Sequence, residues 1–168
     1  MSKKEPTIKD SIIGNNLTAA IIHVAVLVLS GLATVLVSAI SPHNGIEGWT
    51  IIALVALCLY PAFGYAFISP LARRNFLSVF YFSGGLCTLA VAIVVMNLFS
   101  TENELGLYML INNPALQLTG VVLRPVFDVG TSLSVAMIIS AFIPPALMYL
   151  GLCLKVWQQK ENKYESLN

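Results

Sequence analysis

The residue in this sequence whose type and position first suggest chemistry is His23, the one ionisable side chain within four long apolar runs. Imidazole titrates near neutral pH, and an ionisable group embedded in apolar sequence is a functional candidate by default. His23 lies six residues into its run, about 9 Å along a helix. No Asp or Glu occurs in any of the four runs to act as its partner. A neutral imidazole hydrogen-bonded to a neighbouring helix is therefore favoured over a proton-carrying or ligand-binding role.

The second candidate is Arg124 with Asp128, four residues apart across Pro125. On a helix this spacing lets the two pair on one face for a few tenths of a kcal/mol. Arg124 could also attract a lipid phosphate, but ordinary ion pairing explains the spacing more economically. Pro61 and the Pro144-Pro145 pair each predict an interrupted hydrogen-bond ladder, because proline removes a donor and crowds the carbonyl four residues earlier. The expected result is a static kink, with a hinge or substrate-facing notch as the alternative. His43, Asn44 and Glu47 sit in a short turn, yet no second histidine follows at a metal-ligand spacing, so no metal site is assigned. Asn16-Leu17-Thr18 has the form of a glycosylation acceptor and is read as helix-start chemistry.

Other chemistries lack their residues. There is no Gly-x-Ser-x-Gly, no His-Glu-x-x-His and no phosphate-cradling glycine loop. No catalytic residue and no cofactor is assigned. Cys58, Cys87 and Cys153 all fall in apolar runs with no Cys-x-x-Cys pair, and are read as buried small hydrophobes. No basic cluster interleaved with aromatics exists for nucleic acid.

The elements that position these residues follow from composition. Of 168 residues, 57% are hydrophobic and only 10% are charged, against about 25% charged in a soluble domain. Runs at about 17–40, 49–69, 76–99 and 131–154 each reach the roughly 20 residues needed to cross a hydrocarbon core. In lipid the backbone must satisfy its own hydrogen bonds, so these runs predict helices. The basic residues before 17 raise the possibility of a signal peptide, but the first run far exceeds the usual apolar core of about 7–15 residues. An uncleaved first helix is expected.

Eight of the nine Lys and Arg residues fall in 1–16, in the link after the second run, or in 155–168; only Arg124 lies on the opposite side. The positive-inside asymmetry places both termini in the cytoplasm of a plasma membrane. The predicted fold is an all-α integral membrane protein. It comprises a cytoplasmic tail (1–16), an antiparallel four-helix transmembrane bundle (17–154) and a second cytoplasmic tail (155–168). Between the third and fourth helices, 100–130 forms an outer loop. Its apolar part, 105–123, carries Asn112, Asn113, Pro114 and Gln117 and is expected to be an amphipathic hairpin that lies in the outer interface or caps the bundle, with a shallow re-entrant loop as the alternative.

Small and polar stripes should mark the helix contacts. They are Ala19, His23, Ser30, Thr34 and Ser38 on the first helix and Ala53, Tyr60 and Gly64 on the second. The third offers Gly84, Thr88 and Ala92, and the fourth Ser132, Ala136, Ser140, Pro144 and Gly151.

The layout resembles tetraspan proteins in general, with a short first outer loop and a longer second one. It lacks the Cys-Cys-Gly motif of tetraspanins and the long first loop with tryptophan and paired cysteines of claudins. Short polar tails and the absence of loop cysteines suit a bacterial plasma membrane.

Three functions fit these features. The leading one is a non-enzymatic accessory, regulatory or immunity-type factor acting through helix–helix or lipid contacts, with the bilayer and a membrane-protein partner or second copy as its company. The alternatives are a transporter or channel subunit using the polar stripe of the first helix and the proline-broken second and fourth helices, and an enzyme on lipid substrates. Cysteines placed at positions 113 and 160 test the topology: an impermeant reagent should reach them from opposite faces, and labelling from the same face removes the four-span reading.

Overall fold

The computed structural model describes residues 8–40, 45–71, 76–95, 112, 114–120, 122–123, 125 and 129–165. Four long helices emerge: α1 (Ile8–Ile40), α2 (Gly45–Phe67), α3 (Leu77–Val95) and α4 (Val129–Glu165). A short helical stretch covers 114–120, and no strand occurs among the described residues. Three helices carry windows long and apolar enough to cross a membrane: Ser11–Ile40, Thr50–Phe67 and Ser134–Asn162. In α3 the apolar stretch is the shorter Leu77–Ile93.

The helices outrun the apolar runs that announced them. α1 begins at Ile8, and α4 continues to Glu165. The charged ends Ile8–Asn16 and Lys155–Glu165 are thus helical, because nothing in either stretch is a Gly or Pro stop except Gly14, which a helix tolerates. Measured from the start of the apolar window at Ser11, His23 lies twelve residues in, about 18 Å along α1.

α4 packs against α2 and α3, and α1 packs against the same two helices while barely touching α4. α1 and α4 are therefore diagonal to one another. The buried face of α1 runs through Ile12, Asn15, Ala19, Ile22, His23, Val26 and Ser30, while Leu17, Ile21, Val24, Val28 and Val35 point outward and are more than half exposed. Helices apolar on both their inner and outer faces match a hydrocarbon surrounding.

What brings α2 and α4 together is the absence of two side chains. A methyl group added at Gly64 would fall on the Met148 backbone, and one at Gly151 would fall on the Pro61 carbonyl. Such close backbone approach is the use of small residues in packed membrane helices. Pro61, Pro144 and Pro145 belong to this crossing or to the buried face beside it, with Pro144 and Pro145 fully enclosed. Neither helix terminates at its prolines: α2 continues through Pro61 and α4 through Pro144-Pro145, each proline removing one donor from the ladder.

The small-residue stripes hold on α1 at Ala19, His23 and Ser30, on α2 at Ala53, Tyr60 and Gly64, and on α4 at Ala136, Ser140, Pro144 and Gly151, all buried. On α1 the stripe fades outward, with Thr34 half-buried and Ser38 exposed. On α3 it fails. Gly84 and Thr88 are exposed, and the inner face is instead Ser83, Leu86, Ala90 and Ile93. With both faces of α3 apolar, the sequence offered no contrast to orient it, and Thr88 turns its hydroxyl back onto the Gly84 carbonyl at 2.8 Å. The cysteines are corrected too: Cys58 and Cys153 are exposed on the helix exteriors and Cys87 is half-buried.

The crossing yields a paired prediction. Gly64→Ala or Gly151→Ala should destabilise the protein by about 3 kcal/mol, as overpacking against backbone. Gly84→Ala, which meets nothing within 4 Å, should stabilise by about 0.5–1 kcal/mol through helix propensity. Unfolding of the detergent-solubilised protein compares the three, and equal effects at the three glycines would disprove the crossing.

Candidate functional site

His23 comes to lie inside the bundle, 2% exposed, where α1 faces both α2 and α3. Its Nδ1 is 2.7 Å from the Tyr60 hydroxyl of α2, and the two rings stack with centroids 5.8 Å apart. From α3 the Phe82 ring tilts against the imidazole at 5.2 Å. With Nδ1 unprotonated, the Tyr60 O–H donates and the imidazole accepts. Tyr60 is itself fully buried. The pair therefore joins two polar groups that would each be costly alone in an apolar interior, and it fixes the rotation of α1 relative to α2.

A second polar group set ties one end of the molecule. The Asn15 amide donates to the Ser69 carbonyl at 2.8 Å, and its carbonyl accepts from the Ser69 N–H at 3.2 Å. Asn16 reaches the other way: its amide donates to the Leu77 carbonyl at 2.9 Å, and its carbonyl accepts from the Phe82 N–H at 3.2 Å. Adjacent asparagines on α1 thus hold the segment just past α2 and the first turns of α3. Lys155 of α4 completes this end, donating to the Ile68 carbonyl at 3.1 Å and the Ala66 carbonyl at 3.4 Å. A cation there meets the negative end of the α2 dipole. Tyr65 and Gln158 add a side-chain hydrogen bond between α2 and α4.

Asn16 is therefore a helix-interior bridge and not helix-start chemistry. The Asn16 nitrogen that glycosylation would modify donates to the Ile12 and Leu77 carbonyls. Sequence reasoning missed this cluster. Its signal was two adjacent asparagines at the edge of an apolar run, where a polar side chain can bond a neighbouring helix end without leaving the interface.

The segment expected at the outer interface lies inside. Asn112 is fully buried, Ala115 and Leu116 are 1% and 3% exposed, and Thr119 is 7% exposed. Ala115 joins the core cluster that contains Ala19, Val26, Tyr60 and Met148, while Leu116 packs with Ala90, Ile93, Ala136 and Met137. The Asn112 amide donates to the Ser140 hydroxyl of α4 at 3.0 Å. The described part of the expected hairpin thus packs among the helices, as the capping and re-entrant alternatives require and a freely lying interfacial piece does not, while 105–111 lie outside the described residues.

Of the other sequence candidates, Pro144 and Pro145 lie on the buried face of α4 within a turn or so of Ser140. Arg124, Asp128, His43 and Asn44 lie outside the described residues. Among the described residues, no three His, Cys, Asp or Glu side chains gather as metal ligands. An apolar groove of about 290 Å³ runs between α1 and α2, lined by Leu29, Ser30, Ala33, Ile51, Val55 and Leu59 among others. The Ser30 hydroxyl there is turned onto the Leu27 carbonyl at 3.0 Å.

Fold and site together define the class: an all-helical chain with three helices long and apolar enough to cross a membrane. The chain matches no family model, no curated protein and no solved structure.

The His23–Tyr60 pair generates a test of its role. Tyr60→Phe should cost about 1–3 kcal/mol, since it leaves a buried nitrogen short of its donor. Removing His23 as well, in His23→Leu/Tyr60→Phe, should recover part of that loss. Strictly additive losses in the double-mutant cycle would show that the two side chains do not act as a pair.

Proposed function

We propose that this chain is a four-span plasma-membrane protein with cytoplasmic termini, acting without catalysis of its own as an accessory, regulatory or immunity-type factor through helix–helix or lipid contacts. The observation that carries this reading is how its interior polar groups are used. His23 and Tyr60, Asn112 and Ser140, and Asn15 and Asn16 with the backbone of neighbouring segments all link one helix to the next. Such links build a scaffold whose outward faces are left for lipid or a partner.

Two features support the antiparallel four-span form. At 19 residues α3 is about 28 Å long, close to a hydrocarbon core of about 30 Å, and it packs between α1 and α4. The start of α1, the end of α2, the start of α3 and Lys155 of α4 meet at one end through the Asn15, Asn16 and Lys155 bonds, as alternating helix directions require. That end also carries the excess of basic residues, which supports its cytoplasmic placement.

A transporter or channel subunit is the second reading, favoured by segment 112–120. Polar, non-spanning chain at bilayer depth is tolerated where protein encloses it or where it borders a pathway. One experiment separates the two. A photoreactive residue at outward-facing Leu32 should yield a discrete higher-mass adduct in native membranes, and the purified protein in proteoliposomes should move no solute. A monomer that crosslinks to nothing and catalyses uptake by itself would replace the first reading with the second.

A further inference from the structure

α1 is held along one part of its length and not along the rest. Asn15 bonds the Ser69 backbone, Asn16 bonds the Leu77 carbonyl and the Phe82 N–H, and His23 meets Tyr60. Among these bonds Ala19, Ile22 and Val26 pack in the core with Ala56 and Tyr60. Burial on α1 then stops at Ser30. Every residue of 31–40 is partly buried or exposed, with Leu32, Val35 and Leu36 more than half exposed. The apolar groove takes its α1 lining from this boundary, at Leu29, Ser30 and Ala33, and its other wall from Ile51, Ile52 and Val55 of α2.

The local chemistry at the boundary favours bending. Helices kink at Gly/Ser pairs, and Ser30-Gly31 is one. The Ser30 hydroxyl donates to the Leu27 carbonyl at 3.0 Å, and the Thr34 hydroxyl donates to the Ser30 carbonyl at 2.9 Å. Hydroxyls bonded back onto the preceding turn share carbonyls with the helical ladder and bend it. Gly31 lies between these two bonds, and nothing stands within 4 Å of where its Cβ would be. Neither a side chain of its own nor a neighbour restrains its backbone angles. Other glycines in open space are set differently. Gly14 lies between buried Ile12 and Asn15, and Gly84-Gly85 between buried Ser83 and Leu86, so the chain is anchored on both sides. Past Gly31 no buried residue follows on α1.

We propose that α1 bends at Ser30-Gly31, and that 31–40 form an arm whose movement opens and closes the groove against α2. An apolar face gains little by leaving lipid for another apolar face, so the open and closed arrangements lie close in free energy. A bend of about 20° moves Leu36 by about 3 Å. Four residues separate Ile40 from Gly45, so the arm stays tethered to the helix it moves against. The arm goes beyond the accessory reading and does not depend on it.

Double electron–electron resonance on the full-length protein in lipid bilayers tests this, with Cys58, Cys87 and Cys153 replaced by Ser. One sample carries spin labels at Leu36→Cys and Leu54→Cys, which report the arm against α2. A second carries them at Leu17→Cys and Phe67→Cys, which report the held part of α1 against α2. All four positions are exposed and none lines the groove, so the labels have similar freedom. The arm pair should give a distance distribution broader than that of the held pair by about 3 Å. Gly31→Ala, which meets no neighbour, should narrow the arm pair to the width of the held pair and leave the held pair unchanged. An arm pair as narrow as the held pair would overturn the bend, and so would a broad one whose width survives Gly31→Ala. Equal narrowing of both pairs by Gly31→Ala would also overturn it, because the looseness would then belong to the whole bundle.

Discussion

Within hydrocarbon, a leucine face gains little by leaving lipid for another leucine face, and this constraint organises the rest of the molecule. α1, α2 and α4 are apolar around their whole circumference over long windows, so hydrophobicity does not decide which side turns inward. Shape and hydrogen bonding do. The α2–α4 contact exists because Gly64 and Gly151 let two backbones meet. The α1–α2 contact has a fixed rotation because His23 and Tyr60 must meet, and the ends are set because Asn15, Asn16 and Lys155 bond backbone groups of neighbouring segments. Each of these is local and directional, and together they specify an inner face that composition alone leaves open.

This division explains what was legible in the sequence. Helical runs and their rough positions follow from length and apolarity, and among the described residues they are found as expected, with no strand. Inner faces were legible wherever a helix carried a polar or very small residue in an otherwise bulky run: His23, Tyr60, Gly64, Ser140 and Gly151 are all buried. They were illegible on α3, where Gly84 and Thr88 satisfied the same rule yet face outward. A glycine is a permission for close approach, not a requirement, and no partner helix approaches there. The ends of α1 and α4 were placed too far inward because span length was used as helix length; a helix needs no apolar surroundings to continue, only the absence of a stop.

The site was less legible than the fold, for a related reason. His23 stood out by type, but what it does depends on Tyr60, thirty-seven residues away, and on Phe82 of a third helix. The sequence showed the histidine and the aromatics separately and gave no distance between them. Asn15 and Asn16 were visible as residues and misread, because their partners are backbone atoms near Ser69 and Leu77 that no motif marks. Asn112 was read as keeping 105–123 from spanning the hydrocarbon, on the ground that an amide is costly there. That cost applies to an amide facing lipid. Facing the Ser140 hydroxyl inside protein, the amide nitrogen has a partner.

The same distinction bears on how the interior is shared. Ser140 serves α4 through Met137 and the segment through Asn112, whereas Tyr60 joins α1 to α2 through His23 with rings stacked on both sides of the bond. Both contacts sit within apolar packing: α1 and α2 also meet along Ala19, Ile22, Val26 and Ala56, and the segment is also held by Ala115 and Leu116. In the interior described, each polar contact thus sits within an apolar one and selects the rotation of an element that packing holds in place.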